Sequence, residues 1–179
     1  MKRVFLPLLF PALLLGATWE LGGGGGLVFL DRSTQGAYLQ NQDENLPRLF
    51  LRGGYQLTPQ SDQLFIAIAS DKRIDELDLG YNLMLPSMQP YAPLRALPYA
   101  KASLAIGNTH ADWDTLSHMG AALGLGLIGH SGEQLRVRFE LEYRMREGQL
   151  ERGGQEPNGE LLSWRDRELN FLIGLALLF

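Results

Sequence analysis

From Leu135 to Arg146 the chain alternates without a break. Leu135, Val137, Phe139, Leu141, Tyr143 and Met145 share one parity; Arg136, Arg138, Glu140, Glu142, Arg144 and Arg146 share the other. Successive side chains of a β-strand point to opposite faces, so this stretch makes a strand with one apolar and one fully charged face. Few folds accept such a strand, because six large apolar groups and six charges must each find a suitable environment.

Seven more segments carry period-two patterning. Together the sequence predicts strands over Thr18–Leu30, Arg48–Leu57, Gln63–Ser70, Asp75–Leu85, Leu97–Gly107, Thr115–Ile128, Gln134–Arg146 and Arg165–Phe179. In the first, Trp19, Leu21, Leu27 and Phe29 oppose Glu20, Gly22, Gly24 and Gly26. In the second, Leu49, Leu51, Tyr55 and Leu57 oppose Arg48, Arg52, Gly54 and Gln56. In the fourth, Leu77, Leu79, Tyr81, Leu83 and Leu85 oppose Glu76, Asp78, Gly80, Asn82 and Met84. The sixth sets Met119, Leu123, Leu125 and Leu127 against His118, Gly120, Ala122, Gly124 and Gly126. The third and fifth are weaker, with Leu64, Ile66 and Ile68 in one, and Ala102, Leu104 and Ile106 against Lys101 and Ser103 in the other.

A soluble barrel would turn the apolar parity inward. Three features argue the reverse. The glycines share the charged parity, where a narrow, crowded lumen needs small residues. The charges on that parity balance: Glu20, Glu76, Asp78, Glu140, Glu142, Asp166 and Glu168 against Arg48, Arg52, Lys101, Arg136, Arg138, Arg144 and Arg146. Buried charges require such pairing. Connection lengths also alternate, with long polar stretches at Asp31–Pro47 and Glu147–Trp164 and shorter ones around Asp71-Lys72-Arg73 and Gly107–Asp114 on one side. On the other side lie Thr58–Asp62 and Gly129–Glu133, read as tight turns, and the longer, proline-rich Pro86–Ala96. Long connections outside and short turns inside are the pattern of an outer-membrane barrel.

The expected fold is therefore all-β, an eight-stranded antiparallel up-and-down transmembrane barrel whose apolar parity meets lipid. Only a closed sheet satisfies every backbone group there. A one-residue slip of the seventh strand would turn six charges into the bilayer. At roughly 2–4 kcal/mol for each arginine near the midplane, even a discounted sum outweighs a typical domain stability of about 5–15 kcal/mol.

The start of the chain fits export. Met1-Lys2-Arg3 is basic, Val4–Gly16 is an uncharged apolar run, and Ala17 is small, the layout of a cleavable Sec-type signal peptide. The run is short for a membrane helix and is interrupted by Pro7 and Pro11. Residues 1–17 are assigned to this signal and 18–179 to the barrel. Removing Lys2 and Arg3 from 16 basic residues leaves 14 against 20 acidic, a net charge of −6, which gives no support to nucleic-acid binding. With no cysteine there is no disulfide framework. Aromatics near strand ends suggest interfacial belts, with Trp19, Tyr55, Tyr99 and Phe179 toward the periplasm and Phe29, Trp113, Tyr143 and Trp164 toward the outside.

The signal segment, Trp19–Leu30 (WELGGGGGLVFL), Phe139–Arg146 (FELEYRMR) and the terminal ELNFLIGLALLF resemble the small OmpA-like, porin-like outer-membrane β-barrels of Gram-negative bacteria. The resemblance covers the whole mature chain at the level of pattern. It implies that Phe171, Ile173, Leu175, Leu177 and Phe179 form a C-terminal assembly signal. It also implies outer-membrane lipid and lipopolysaccharide as surroundings, with periplasmic chaperones and the barrel-assembly machinery as transient partners.

Candidate chemistry is sparse. The Gly22–Gly26 run lacks the Lys-Ser/Thr and helix of a phosphate loop. His110, Asp112, Asp114 and His118 gather near the third outer connection and read as loop polars plus one interior histidine. The lipid A deacylases, which resemble this fold, use a lipid-facing His-x-Ser pair. Here Ser117-His118 are adjacent, so they point to opposite faces, and His130-Ser131, also adjacent, lie on the expected periplasmic turn Gly129–Glu133. No catalytic, cofactor or metal set is therefore expected. Arg32, Lys72, Arg73, Arg165 and Arg167 are candidates for lipopolysaccharide phosphates. The expected role is non-enzymatic, in envelope integrity or surface interaction, with a charged, plugged interior. The alternatives are an enzyme modifying lipid A or a narrow ion channel.

Overall fold

The computed structural model describes residues 18–35, 42–57, 62–85, 96–111, 114–131, 134–150 and 162–179. It consists of eight strands: β1 (Trp19–Gln35), β2 (Gln42–Gln56), β3 (Gln63–Ser70), β4 (Ile74–Met84), β5 (Ala96–Ala111), β6 (Asp114–Ser131), β7 (Leu135–Leu150) and β8 (Leu162–Leu178). Each pairs antiparallel with the next, and β8 returns to β1, so the sheet closes. At the seam, Trp19 N donates to Phe179 O and Phe179 N to Trp19 O. No helix long and apolar enough to cross a membrane is found among the described residues.

The registers fix the geometry of the cylinder. A row of directly paired residues starting at Trp19 passes Tyr55, Leu64, Tyr81, Ala102, Leu123, Tyr143 and Leu169. It returns to β1 at Phe29, ten residues beyond its start. With strand rise and spacing at their usual values, a shear of about ten over eight strands gives a tilt of about 40° and a backbone radius of about 8 Å. Side chains fill a lumen of that width.

The faces are inverted relative to a soluble protein. Leu49, Leu104 and Met119 are each 70% exposed or more, while Arg146 and Asp166 are fully buried. The row Leu169, Phe171, Ile173, Leu175, Leu177 and Phe179 is exposed outward on or just beyond β8.

Six strands run further than the alternation predicts. Asp31–Gln35 and Gln42–Pro47 continue β1 and β2, so most of the expected first outer loop is ladder. Likewise β5 continues to Ala111, β6 begins at Asp114, β7 continues to Leu150 and β8 begins at Leu162. Beyond the apolar band both faces of a strand carry polar residues, so period-two patterning stops while backbone pairing does not. At the terminal end, β6 runs through Ser131, so Gly129–Ser131 belongs to a strand. Residues 86–95 and the predicted signal peptide lie outside the described residues.

Candidate functional site

The inner face of the barrel gathers the charged side chains. Near the end that carries the termini, Glu20 of β1 accepts from Arg136 at 3.0 Å and from Arg138 at 2.8 and 2.6 Å. Gln63 and Asn82 extend this cluster: Gln63 donates to Glu20 at 3.2 Å and accepts from Arg138 and Asn82 at 2.9 Å each.

A second, longer cluster runs up the lumen. Glu140 accepts from Arg52 at 2.6 Å and from Lys101 at 2.8 Å. Lys101 also lies 2.5 Å from Glu142, which accepts from Arg144 at 2.8 Å and from Asn170 at 3.0 Å. Arg144 reaches Asp78 at 2.8 Å and Glu76 at 2.6 Å, and Arg146 reaches Glu76 at 2.5 Å. Arg146 then pairs with Glu168, which meets Arg48 at 2.9 Å, and Arg48 reaches Asp71 at 2.6 Å. Tyr99 joins the two clusters. Its hydroxyl donates to Glu140 at 2.5 Å, and the Arg138 guanidinium lies 5.5 Å from its ring centroid.

The inner face therefore carries every sequence-derived interior charge: Glu20, Arg48, Arg52, Glu76, Asp78, Lys101, Arg136, Arg138, Glu140, Glu142, Arg144, Arg146, Asp166 and Glu168. It adds two that loop placement had set aside. Arg32 is buried and makes a bidentate pair with Asp166, 2.7 Å for each bond. It faces inward because β1 continues past Leu30, so Arg32 is withdrawn from the outer-rim basic set. The Asp71 side chain is also buried, against Arg48, and accepts from the backbone N–H of Arg73 and Ile74 at 2.8 and 3.0 Å. It thereby ties the β3–β4 turn to the lumen. With these two, the acids and bases of the lumen again balance.

The inward glycines have a specific task. Tyr99, Gly126 and Glu140 lie in one cross-strand row on β5, β6 and β7. A Cβ at Gly126 would collide with the Tyr99 ring, so the ring passes over Gly126 to reach Glu140. Lys101 crosses Gly124 to Glu142 in the next row, and Glu76 and His118 face each other across Gly107 at 3.9 Å. The Phe65 ring likewise covers Gly80, and Phe50 covers Gly174. The glycines let side chains two strands apart meet in one row.

Aromatic and apolar groups were missed inside. Phe65 supports the Arg52 guanidinium at 3.8 Å from its centroid, a cation–π contact that desolvation strengthens. Tyr99, expected in an outer belt, is 1% exposed and packs with Met84 and Ile128 at the terminal end. Val28, Leu30 and Leu46 form a second apolar cluster near the opposite end. Parity was the available signal: Tyr99 shares it with Lys101, and Phe65 with Gln63.

On the outer face, the Trp19 and Tyr55 rings meet at a tilt of 55° with centroids 4.9 Å apart, and Phe29 meets Phe171 edge-on at 5.7 Å. Trp113 lies outside the described residues, as does the Trp164 side chain. At the rim, Arg73 pairs with Glu44 at 2.6 Å and Arg165 with Glu147 at 3.1 Å, while Lys72 and Arg167 are exposed. Ser117 is exposed and His118 buried, on opposite faces. His110 points outward to Asp75 at 2.9 Å, so the two histidines do not converge. Asp112 and the Asp114 side chain lie outside the described residues. No group of three or more metal-ligating side chains occurs among the described residues.

These features define a closed eight-stranded barrel with an apolar wall and an ion-paired lumen, the fold of the small OmpA-like outer-membrane barrels. Among solved structures, the N-terminal β-barrel domain of Pseudomonas aeruginosa OprF matches over 90% of this chain and 97% of that one, at 15% identity and a TM-score of 0.53. Neisserial surface protein A matches over 90% and 98%, at 11% identity and a TM-score of 0.51. No family model and no curated protein matches the sequence.

Proposed function

We propose that the protein is an integral barrel of the outer membrane of a Gram-negative bacterium, exported on residues 1–17. Its ion-paired interior is closed to solutes. Its role is non-enzymatic, in envelope integrity or surface interaction through the β1–β2 and β7–β8 connections. The carrying observation is the inversion itself, with Leu104 70% exposed while Arg146 is fully buried. An aqueous exterior would leave that wall unexplained, since exposed apolar patches of this extent mark a membrane or partner.

Closure to solutes rests on the width and the contents of the lumen. A backbone radius of about 8 Å is filled by side chains, and here those chains bond to one another from wall to wall. The apolar clusters around Tyr99 and Leu46 lie toward the two ends. Phe171, Ile173, Leu175, Leu177 and Phe179 stand exposed in one row, available to the barrel-assembly machinery and chaperones before lipid covers them. Lys72 and Arg167, exposed at the rim, suit lipopolysaccharide phosphates.

Gel migration of the folded protein in detergent, with and without boiling, tests the reading. A shift on boiling is expected. A monomer that stays soluble without any amphiphile overturns the placement. In planar bilayers, sustained openings on the order of hundreds of picosiemens, the scale of a water-filled lumen, overturn the closed interior. A change in the lipid A mass profile on expression overturns the non-enzymatic role.

A further inference from the structure

We propose that the outer rim has a notch above the β3–β4 turn, where an extended segment of a partner polypeptide adds as a strand to the open edge of β2; this rests on the outer-membrane placement above. β2 pairs with β1 as far as Gln42, but with β3 only from Leu49, whose partner is Ser70. Among the described residues, Gln42–Arg48 therefore has a strand on one side alone. At about 3.3 Å per residue this edge is about 20 Å long. Across the notch, β5 continues to Ala111. With β3 and β4 ending short, β2 and β5 stand three inter-strand steps, about 14 Å, apart. The notch lies beyond the apolar band, because the row that continues from Leu49 is Ser70, Asp75 and Asn108, all polar and exposed.

The backbone of this edge points into the notch. Leu57 N donates to Asp62 O and Gln56 N to Thr18 O. Odd-numbered residues of β2 thus turn their N–H and C=O toward the β3 side, and even-numbered ones toward β1. Asp43 and Asn45 present both groups to the notch. Pro47 would face Lys72 if the register continued, but it has no N–H to give, and the β2–β3 ladder stops there. The proline blunts the lower end of the edge and leaves the upper end open. The floor of the notch is held in place: Arg73 Nη2 donates to Glu44 at 2.6 Å, and His110 N donates to Arg73 O at 2.6 Å. Lys72 is exposed on this floor, with no ion-pair partner among the described residues. The occupant must therefore carry backbone donors and acceptors in a row, and a negative charge at the end that rests on Lys72. An extended peptide with an acidic end meets both demands, by strand addition. An acyl chain has no such row. A second copy upright in the same membrane does not fit, because strands tilted by about 40° cross their twofold mates at about 80°, so two β2 edges cannot run side by side.

Amide NMR of the mature chain folded in detergent micelles tests the site, with the peptide acetyl-Asp-Thr-Val-Thr-Val-Thr-amide as the probe. On adding peptide, the Asp43 and Asn45 amides are expected to move in the spectrum and to slow their hydrogen exchange. Those of Glu44 and Leu46, turned toward β1, should keep their exchange rates. Asn45→Pro removes one N–H on the open side without touching the β1 ladder, and should weaken binding about fivefold, the loss of one hydrogen bond. Lys72→Ala should weaken binding of this peptide but not of one that begins with threonine. Methylating one alternate set of peptide nitrogens should abolish binding and methylating the other should spare it, because an added strand pairs with β2 through one side alone. Boiling-dependent gel migration of each sample separates the two readings. A wild type that shifts on boiling but whose Asp43 and Asn45 amides ignore the peptide, or that binds both methylated peptides equally, overturns the site alone. A wild type that never shifts on boiling overturns the membrane placement. If Asn45→Pro fails to shift on boiling, the pair of methylated peptides decides.

Discussion

β6 and β7 are neighbours with opposite inner faces. β7 presents Arg136, Arg138, Glu140, Glu142, Arg144 and Arg146 to the lumen, whereas β6 presents His118, Gly120, Ala122, Gly124, Gly126 and Ile128. One strand fills the space and the other recedes. The difference shows how a cylinder of about 8 Å radius holds so many ions. Partners for β7 come from β1, β2, β4, β5 and β8, and those from β5, Tyr99 and Lys101, pass over the β6 glycines. An Arg/Glu-rich strand beside another of its kind would crowd; beside a bare strand it finds partners.

The comparison can be broken in four places. The largest effect is expected at Arg144, which holds Glu142, Asp78 and Glu76 together. Arg144→Ala takes from Asp78 its ion-pair partner and removes one each from Glu142 and Glu76, and should lower stability by about 3–5 kcal/mol, read as a shift in the urea midpoint of the barrel in lipid vesicles. A shift below 1 kcal/mol would mean that water, not protein, solvates these groups. On the bare strand, Gly126→Val pushes against the Tyr99 ring and should remove about 1–3 kcal/mol by overpacking. The same assay checks it.

The sharper form of that test is a double-mutant cycle. If the ring occupies the space above Gly126, then Gly126→Ala should be less harmful in a Tyr99→Ala background, with a coupling of at least about 0.5 kcal/mol. Additive losses would show that the strand recedes for some other reason. Smallest of all, Tyr99→Phe should lose only about 1 kcal/mol, because Glu140 keeps Arg52 and Lys101 as partners. A loss as large as that of Arg144→Ala would make the tyrosine the main support of Glu140.

Much of this was legible from parity. The alternation of Leu135–Arg146 fixes which side chains share a face, and the glycines on the charged parity point to a crowded lumen. Where alternation faded, the reading stopped too early. Arg32 shares the parity of Glu20 and Gly26, yet it fell in an expected loop because Asp31 and Ser33 are also polar. Tyr99 was assigned to a belt by its residue type, although its parity with Lys101 and Ser103 put it inside. Asp71 had no strand to give it a parity, and only Arg48 draws it in.

The sequence by itself determined the strands, their two faces and the balance of charge, because these depend on a repeat of two residues that any short stretch displays. Which acid meets which base was decided only by closure. The pairing of successive strands sets Tyr99 beside Gly126 and Glu140, and closure with a shear of ten sets Arg32 beside Asp166. That offset belongs to the whole ring of strands, and no segment of the chain carries it alone.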